Sequence, residues 1–238
     1  MKIATIRSRG STDPDHMSTA IISFQCNRFA RGEPMKSAIK YLSVVFLILG
    51  LSAPALAQDN AEQFIQDFGS KALEELTDQS ISSDEREKRF RSLLQEGFDL
   101  RSISQFIIAR HWRSSSEEER KQFIQVFEDY LIQRFLPLFE KYQGETFQTN
   151  GIRRDAQNEN LSWVKVTFKR QQGDPVNTEW RVRNQDGSFS ILDVRAEGAS
   201  MALTLRDEYA SVMNQRGGLS GLIDALRQKL DQGAFRPD

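Results

Sequence analysis

The sequence predicts an α+β fold: a four-stranded antiparallel curved sheet with about six helices packed on one face. Two changes of periodicity predict it. Apolar residues recur every three or four positions in the first half of the domain, every second position in the middle, and every three or four positions again at the end. Since the sheet has one apolar face, helices must cover that face.

Two amphipathic helices open the domain. Residues 61–77 place apolar side chains, including Phe64 and Phe68, along one helix face. Residues 83–96 predict a second helix, with Asp84 and Glu85 at its positive end and Gly97 after its last residue. Residues 98–113 predict one or two further short helices.

A long helix over residues 117–143 follows three serines and begins with three glutamates, a pattern typical of a helix N-terminus. Its apolar stripe is wider than a single packed neighbour requires. Pro137 is expected to kink it, because proline lacks the N–H and clashes with the preceding turn. The stripe consists of Phe123, Val126, Phe127, Tyr130, Leu131, Phe135, Leu138, Phe139 and Tyr142.

Four strands are predicted next, over residues 147–154, 161–170, 176–184 and 189–197. The alternation places Trp180 on the apolar inner face and Arg181 and Arg183 on the wet outer face. Two more helices follow. Met201, Leu205, Tyr209 and Val212 lie on one line of the first, and Gly217-Gly218 precedes the last, which holds Leu219, Leu222, Ile223, Leu226 and Leu230.

The segment 35–57 has the layout of a secretory signal peptide. A basic start at Lys36 and Lys40 precedes an apolar run of eleven residues, Tyr41 to Leu51, and then Ala55-Leu56-Ala57. Cleavage after Ala57 is expected, which leaves 58–238 as a single domain. Residues 1–34 show no domain pattern, and we interpret them as a disordered upstream extension from a start codon placed too early.

Composition excludes several kinds of chemistry. The chain of 238 residues has one cysteine and two histidines. Removing the seven basic and three acidic residues of 1–57 from 32 and 33 leaves 25 and 30, a formal charge of −5. The predicted mature domain contains no cysteine and one histidine, His111, which excludes a disulfide, a thiol nucleophile and a Cys/His metal site. An exported protein without disulfides fits the periplasm, and we expect a monomer with no metal, cofactor or nucleic-acid partner.

Candidate catalytic residues are few. The domain lacks a phosphate-binding loop, a Gly-x-Ser-x-Gly elbow and a His-Glu-x-x-His pattern. His111 lies beside a predicted helix end, and Asp193 interrupts the last predicted strand. We interpret His111 as a helix-end cation and Asp193 as a carboxylate that accepts hydrogen bonds from a turn or an arginine. A basic patch facing an acidic protein surface is a further possibility, formed by Lys165, Lys169, Arg170, Arg181 and Arg183.

The run Asp193-Val194-Arg195-Ala196-Glu197-Gly198-Ala199-Ser200, followed by Arg206, Tyr209 and Gly217-Gly218-Leu219, resembles the C-terminal signature of the MlaC family of periplasmic phospholipid-binding proteins, also called the toluene-tolerance family. The resemblance covers nearly all of residues 60–230. Ala199, Thr204-Leu205 and Ser190 depart from the family pattern, which suggests a divergent branch serving a hopanoid-type or other lipid.

The resemblance implies a lipid carrier that is not an enzyme. It implies an apolar cavity between sheet and helices, a phospholipid ligand, and two partners: an inner-membrane ABC-type lipid transporter with its hexameric lipid-channel protein, and an outer-membrane lipoprotein complex. The long helix is expected to face the sheet across the cavity. The residues expected to contact lipid are Trp112, Phe123, Phe127, Tyr130, Leu131, Phe135, Val164, Val166, Trp180, Val182, Leu192, Val194, Met201, Leu205 and Tyr209.

Two alternatives remain open at this point. The layout also suits a nuclear-transport-factor-like cone, whose pocket enzymes use an Asp or a His, here Asp193 or His111. A scaffold without enzymatic activity would instead have a filled core.

Overall fold

Five helices follow one another before any strand. In the computed structural model, which describes residues 56–171 and 173–236, these helices are α1 (Leu56–Leu76), α2 (Ser83–Gly97), α3 (Leu100–Ile108), α4 (Arg110–Ser114) and α5 (Glu117–Glu140). The predicted helix starts have a clear local cause. The Ser82 side chain accepts from Glu85 N at the start of α2, and Ser116 forms a reciprocal capping box with Glu119 at the start of α5.

The sheet has five strands in the order β1-β2-β3-β4-β5, each antiparallel to the next. The strands are β1 (Thr146–Arg154), β2 (Leu161–Lys169), β3 (Val176–Gln185), β4 (Ser188–Ala196) and β5 (Ala199–Ser200). The prediction of four strands was therefore one short. Glu197 and Gly198, both at positive φ, reverse the chain, and two residues then pair back on β4. A two-residue strand is too short to show a periodicity.

Two helices complete the described part of the chain, α6 (Met201–Arg216) and α7 (Leu219–Asp231). Seven helices are thus present in residues 56–171 and 173–236, where about six were expected. The difference arises at Ala109, whose φ of 47° separates α3 from α4.

The buried apolar residues form two cores. The first, which we call the helical core, consists of residues from each of the helices α2 through α7 and from the C-terminal half of α1. The second, the sheet core, joins Ala61 and Ile65 of α1 to the inner face of the sheet at Val164, Val166, Val182 and Ile191. Half-buried Phe68 and Phe98 pack against both cores.

The expectation that the long helix faces the sheet was wrong. α5 packs principally against α7, α2 and α3, while α1 lies against β1 and β2. The wide stripe on α5 exists because several helices surround it. The sheet is covered by α1 at β1 and β2, and by α2, α3 and α6 at β4.

The outer face of the sheet was predicted to be exposed to water, and this is wrong at one position. Trp163 lies on this face and is only 3% exposed. The guanidinium groups of Arg195, Arg181 and Arg153 lie 3.7, 5.6 and 5.7 Å from the centre of its ring. The three guanidinium groups cover the ring in cation–π contacts, so charged side chains of the outer face bury the indole.

The predicted extension 1–34 and all but the last two residues of the predicted signal peptide 35–57 lie outside the described residues. Within the described ranges, none of the helices combines the length and the apolarity required to cross a bilayer.

Candidate functional site

Five aromatic side chains lie between α1, the junction of α2 and α3, and the inner face of the sheet. We call them the aromatic layer: Phe64, Phe68, Phe98, Trp180 and Phe189. The Phe68 ring lies 5.9 Å from Phe98 and 6.4 Å from Trp180, and Phe64 lies 5.7 Å from Phe189. All five are half-buried, whereas the aliphatic residues of the sheet core beneath them are fully buried. The aromatic layer is therefore a partly solvent-exposed apolar surface that adjoins the fully buried aliphatic residues of the sheet core.

Two glycines make room for aromatic rings against α1 and α2. A Cβ on Gly97 would overlap the ring of Phe68, and one on Gly69 would lie 2.6 Å from the ring of Phe147. The indole of Trp180 is held by a hydrogen bond, since its Nε1 donates to Thr178 Oγ1 at 2.9 Å. The close backbone approach and the indole hydrogen bond thus set the positions of Phe68 and Trp180.

The structure divides the residues expected to contact lipid into two groups that it does not bring together. Five of them belong to or pack on the sheet core: Val164, Val166, Trp180, Val182 and Val194. Nine belong to or pack on the helical core: Trp112, Phe123, Phe127, Tyr130, Leu131, Phe135, Met201, Leu205 and Tyr209. Leu192 is half-buried and belongs to neither core.

The helical core contains a connected series of rings. Phe123 stacks on Phe127 at 6.0 Å, Phe127 stacks on Tyr130 at 6.0 Å, and Phe123 meets Tyr209 edge-on at 6.2 Å. Burial, with smaller contributions from Tyr130 and Glu208, raises the pKa of the Tyr209 hydroxyl far above its ordinary value. This hydroxyl therefore stays neutral, and the group packs as a core residue.

Sequence reasoning missed four of the five residues of the aromatic layer as site residues, namely Phe64, Phe68, Phe98 and Phe189. A local signal existed for two of them, because Phe64 and Phe68 are four residues apart and share a helix face. Phe98 and Phe189 begin segments distant in sequence, and no local pattern indicates that they meet.

The two candidate catalytic residues make different contacts. Asp193 Oδ2 accepts from Ser200 Oγ at 2.6 Å, and its Oδ1 accepts from Ala202 N at 3.1 Å. It therefore ties β4 to the start of α6, as the interpretation of a turn-bonded carboxylate predicted. His111 lies in the last turn of α4. In the described part of the chain no hydrogen bond joins His111 to Asp193.

An ion pair ties α3 to the sheet. Asp99 caps α3 by accepting from Ser102 N at 2.9 Å, and Arg183 of β3 donates to its carboxylate. Burial alone would favour the neutral acid, but the hydrogen bonds from Ser102 and the charge of Arg183 outweigh it and lower the pKa of Asp99. Among the described residues no cluster of three His, Cys, Asp or Glu side chains is arranged to hold a metal ion.

The predicted basic patch is partly neutralised by local partners. Arg183 pairs with Asp99, Arg181 lies 3.1 Å from Asp155, and Arg170 donates to the Asp174 carbonyl. These three side chains support the sheet and its loops, so they are not free to act as one patch with Lys165 and Lys169.

This fold is shared with a solved phospholipid-binding protein from Ralstonia solanacearum in complex with a phospholipid. The likeness has a TM-score of 0.64 at 20% identity and covers 73% of this chain and 98% of that chain. The described unit therefore falls in the structural class that this protein represents. The sequence profile of the MlaC protein matches residues 49–228, and the chain belongs to the MlaC family.

A curated relative is the intermembrane phospholipid transport system binding protein MlaC of Haemophilus influenzae, which is 23% identical over 134 residues. The match covers 55% of this chain, and the chain spans 60% of the length of that relative. The resemblance seen in the sequence from Asp193 to Leu219 is confirmed at the level of the family.

Proposed function

We propose that this chain is a periplasmic carrier that binds the acyl chains of a phospholipid between α1 and the sheet and carries the lipid without changing it covalently. The observation that carries this proposal is the aromatic layer. Half-buried rings over a buried aliphatic floor form a surface that opens by ring rotation. Family membership and the ligand of the Ralstonia protein support the choice of lipid.

The energies favour opening. An acyl chain that takes about ten methylenes out of water gains about 8 kcal/mol at 0.8 kcal/mol for each methylene. Separating an aromatic pair costs about 0.5–1.5 kcal/mol beyond its area. The burial of one acyl chain therefore offsets the free energy needed to separate three or four aromatic contacts. A second chain would add further favourable free energy. The headgroup stays at the mouth in water, so the site selects tails more than headgroups.

Delivery is proposed to take place at proteins. The predicted mature charge of −5 disfavours adsorption to anionic bilayers. Partners of the kind implied by the family, an inner-membrane ABC-type transporter with a hexameric channel protein and an outer-membrane lipoprotein complex, offer apolar channels that compete for the chains. Export after cleavage at Ala57 places the carrier between them.

The test is lipid recovery from the mature protein, residues 58–238, with mass spectrometry of organic extracts and uptake from labelled vesicles. We expect copurified phospholipid. A hopanoid-type lipid in its place would redirect the proposal to the divergent branch, and absence of both lipid and uptake would refute it.

A matched pair of variants locates the site. Val194→Trp places a large ring beside Trp180, its cross-strand neighbour, and is expected to lower uptake. Leu138→Trp, at a residue that is 55% exposed on α5 and belongs to neither core, adds the same ring outside the layer and is expected to leave uptake unchanged. Equal uptake by both variants would place the lipid elsewhere.

A further inference from the structure

A surface cleft of about 740 Å³ lies between α3, α4 and α6. Its floor is apolar and includes Phe106, Ile107 and Met213. Its charged lining residues are Arg110, Arg113 and Arg206, and we call it the arginine cleft. The volume lies in the range of sites that bind small molecules.

The charge of the arginine cleft is not balanced locally. No acidic residue lines it, and no carboxylate of the described ranges 56–171 and 173–236 lies within ion-pair distance of its three arginines. Nearby Arg101 and Arg120 behave differently, because both pair with Glu117, at 3.1 and 3.4 Å. The cleft therefore concentrates positive charge on a chain whose predicted mature charge is negative.

Arg110 and Arg206 are positioned by contacts that leave donors free. Arg110 donates to Asn214 Oδ1 at 2.9 Å, and the Arg206 guanidinium lies 5.1 Å from the centre of the Phe106 ring. Ala109, at a φ of 47°, breaks the helix so that α4 starts at Arg110.

The floor supplies an apolar contact beside the charge. Phe106 is 40% exposed, whereas Ile107 and Met213 below it belong to the helical core and are almost fully buried. An exposed phenyl ring beside unpaired guanidinium groups suits a ligand that is charged at one end and apolar along its length.

We propose that the arginine cleft binds a single-chain anionic amphiphile. A phosphate or carboxylate head accepts hydrogen bonds from Arg110, Arg113 and Arg206, since guanidinium forks match such groups, and the tail lies on Phe106. This site is separate from the aromatic layer and does not depend on the proposed carrier function.

The test is calorimetric titration of the mature protein with dodecyl phosphate below its micelle concentration, inorganic phosphate and dodecyltrimethylammonium. Dodecyl phosphate is expected to bind best, inorganic phosphate weakly, and the cationic amphiphile least. Arg206→Gln and Arg110→Gln are each expected to weaken dodecyl phosphate binding about tenfold, the value of one charge-assisted hydrogen bond. Arg227→Gln, an exposed arginine on α7, is the matched control and is expected to bind normally.

Two further variants separate the parts of the proposal. Phe106→Ser is expected to weaken dodecyl phosphate while leaving inorganic phosphate unchanged. Val194→Trp is expected to leave the cleft unaffected whatever it does to phospholipid uptake. Binding that is insensitive to both arginine substitutions, or that is lost in Val194→Trp alone, would show that the amphiphile occupies another site and would overturn the proposal.

Discussion

At the scale of single residues, Trp163 shows most clearly how a tertiary contact reverses a sequence pattern. Alternation assigns it to the outer face, which is correct, and predicts that this face is wet, which is wrong at this position. Three arginines from three different strands bury the ring. Nothing local to residues 161–170 indicates that Arg153, Arg181 and Arg195 converge there.

Packing and cation–π attraction make different predictions for this cluster. Trp163→Ala removes a buried ring and is expected to lower the free energy of unfolding by about 3–5 kcal/mol. Arg195→Gln removes the nearest cation and is expected to cost about 0.5–1 kcal/mol. Urea unfolding measures both, and a cost for Arg195→Gln equal to that of Trp163→Ala would contradict the dominance of packing.

Asp193 is a second residue whose role is structural. Asp193→Asn keeps one acceptor for Ala202 N and weakens the bond from Ser200, so we expect a loss of about 1 kcal/mol in unfolding free energy. Lipid transfer is expected to remain at the wild-type level. A variant that folds normally and fails in transfer would restore the catalytic interpretation.

At the scale of elements, the sequence predicts the helices and strands better than it predicts which element packs against which. Ser116 and Glu119 specify where α5 begins, and the period of two specifies β1 to β4. The stripe on α5 does not say which element covers it, because helix and sheet partners demand the same apolar side chains. The packing of α1 on the sheet follows from long-range contacts of Phe64 and Phe68 that no local pattern contains.

The contact of α2 with α1 offers a test at this scale. Gly97→Ala, at the last residue of α2, gains less helix propensity than the roughly 1 kcal/mol of a helix interior, but its Cβ overlaps the Phe68 ring, and overpacking costs about 1–3 kcal/mol. We therefore expect a small net loss of stability, read as a lower melting temperature, together with altered lipid uptake because Phe68 is displaced.

The control is the double variant Gly97→Ala with Phe68→Leu, in which the smaller side chain is expected to relieve the overlap. A single Gly97→Ala variant that is more stable than wild type would show that the ring moves away freely.

At the scale of the whole molecule, the Asp99–Arg183 pair links the helices to the sheet and makes stability depend on pH. The pKa of Asp99 is lowered in the folded chain. Its contribution is therefore present above the ordinary carboxyl pKa of about 3.9 and is lost as the pH falls toward the folded value.

Asp99→Asn is expected to be less stable than wild type at pH 7 and to lose less stability on acidification, so that the two curves converge at low pH. Thermal unfolding between about pH 3 and pH 7 measures this. Parallel curves over the whole range would exclude Asp99 as a source of the acid sensitivity.

The α+β class and the family could be predicted for residues 60–230, because they depend on periodicity and on the run from Asp193 to Ser200. The site could be predicted only in part. Val164, Val166 and Trp180 lie on the expected face. The aromatic layer combines residues from α1, the α2–α3 junction, β3 and β4, and such combinations are set by the tertiary structure.

The helix α1 belongs to both cores, and this has a consequence for motion. Its first half packs on the sheet through Ala61 and Ile65, its second half packs among the helices through Ala72 and Leu76, and Gly69 lies between them. Amide hydrogens in the first half should exchange with solvent sooner than those of α5 and α7. In the proposed carrier function, the second half of α1 would then stay fixed among the helices while its first half moves away from the sheet.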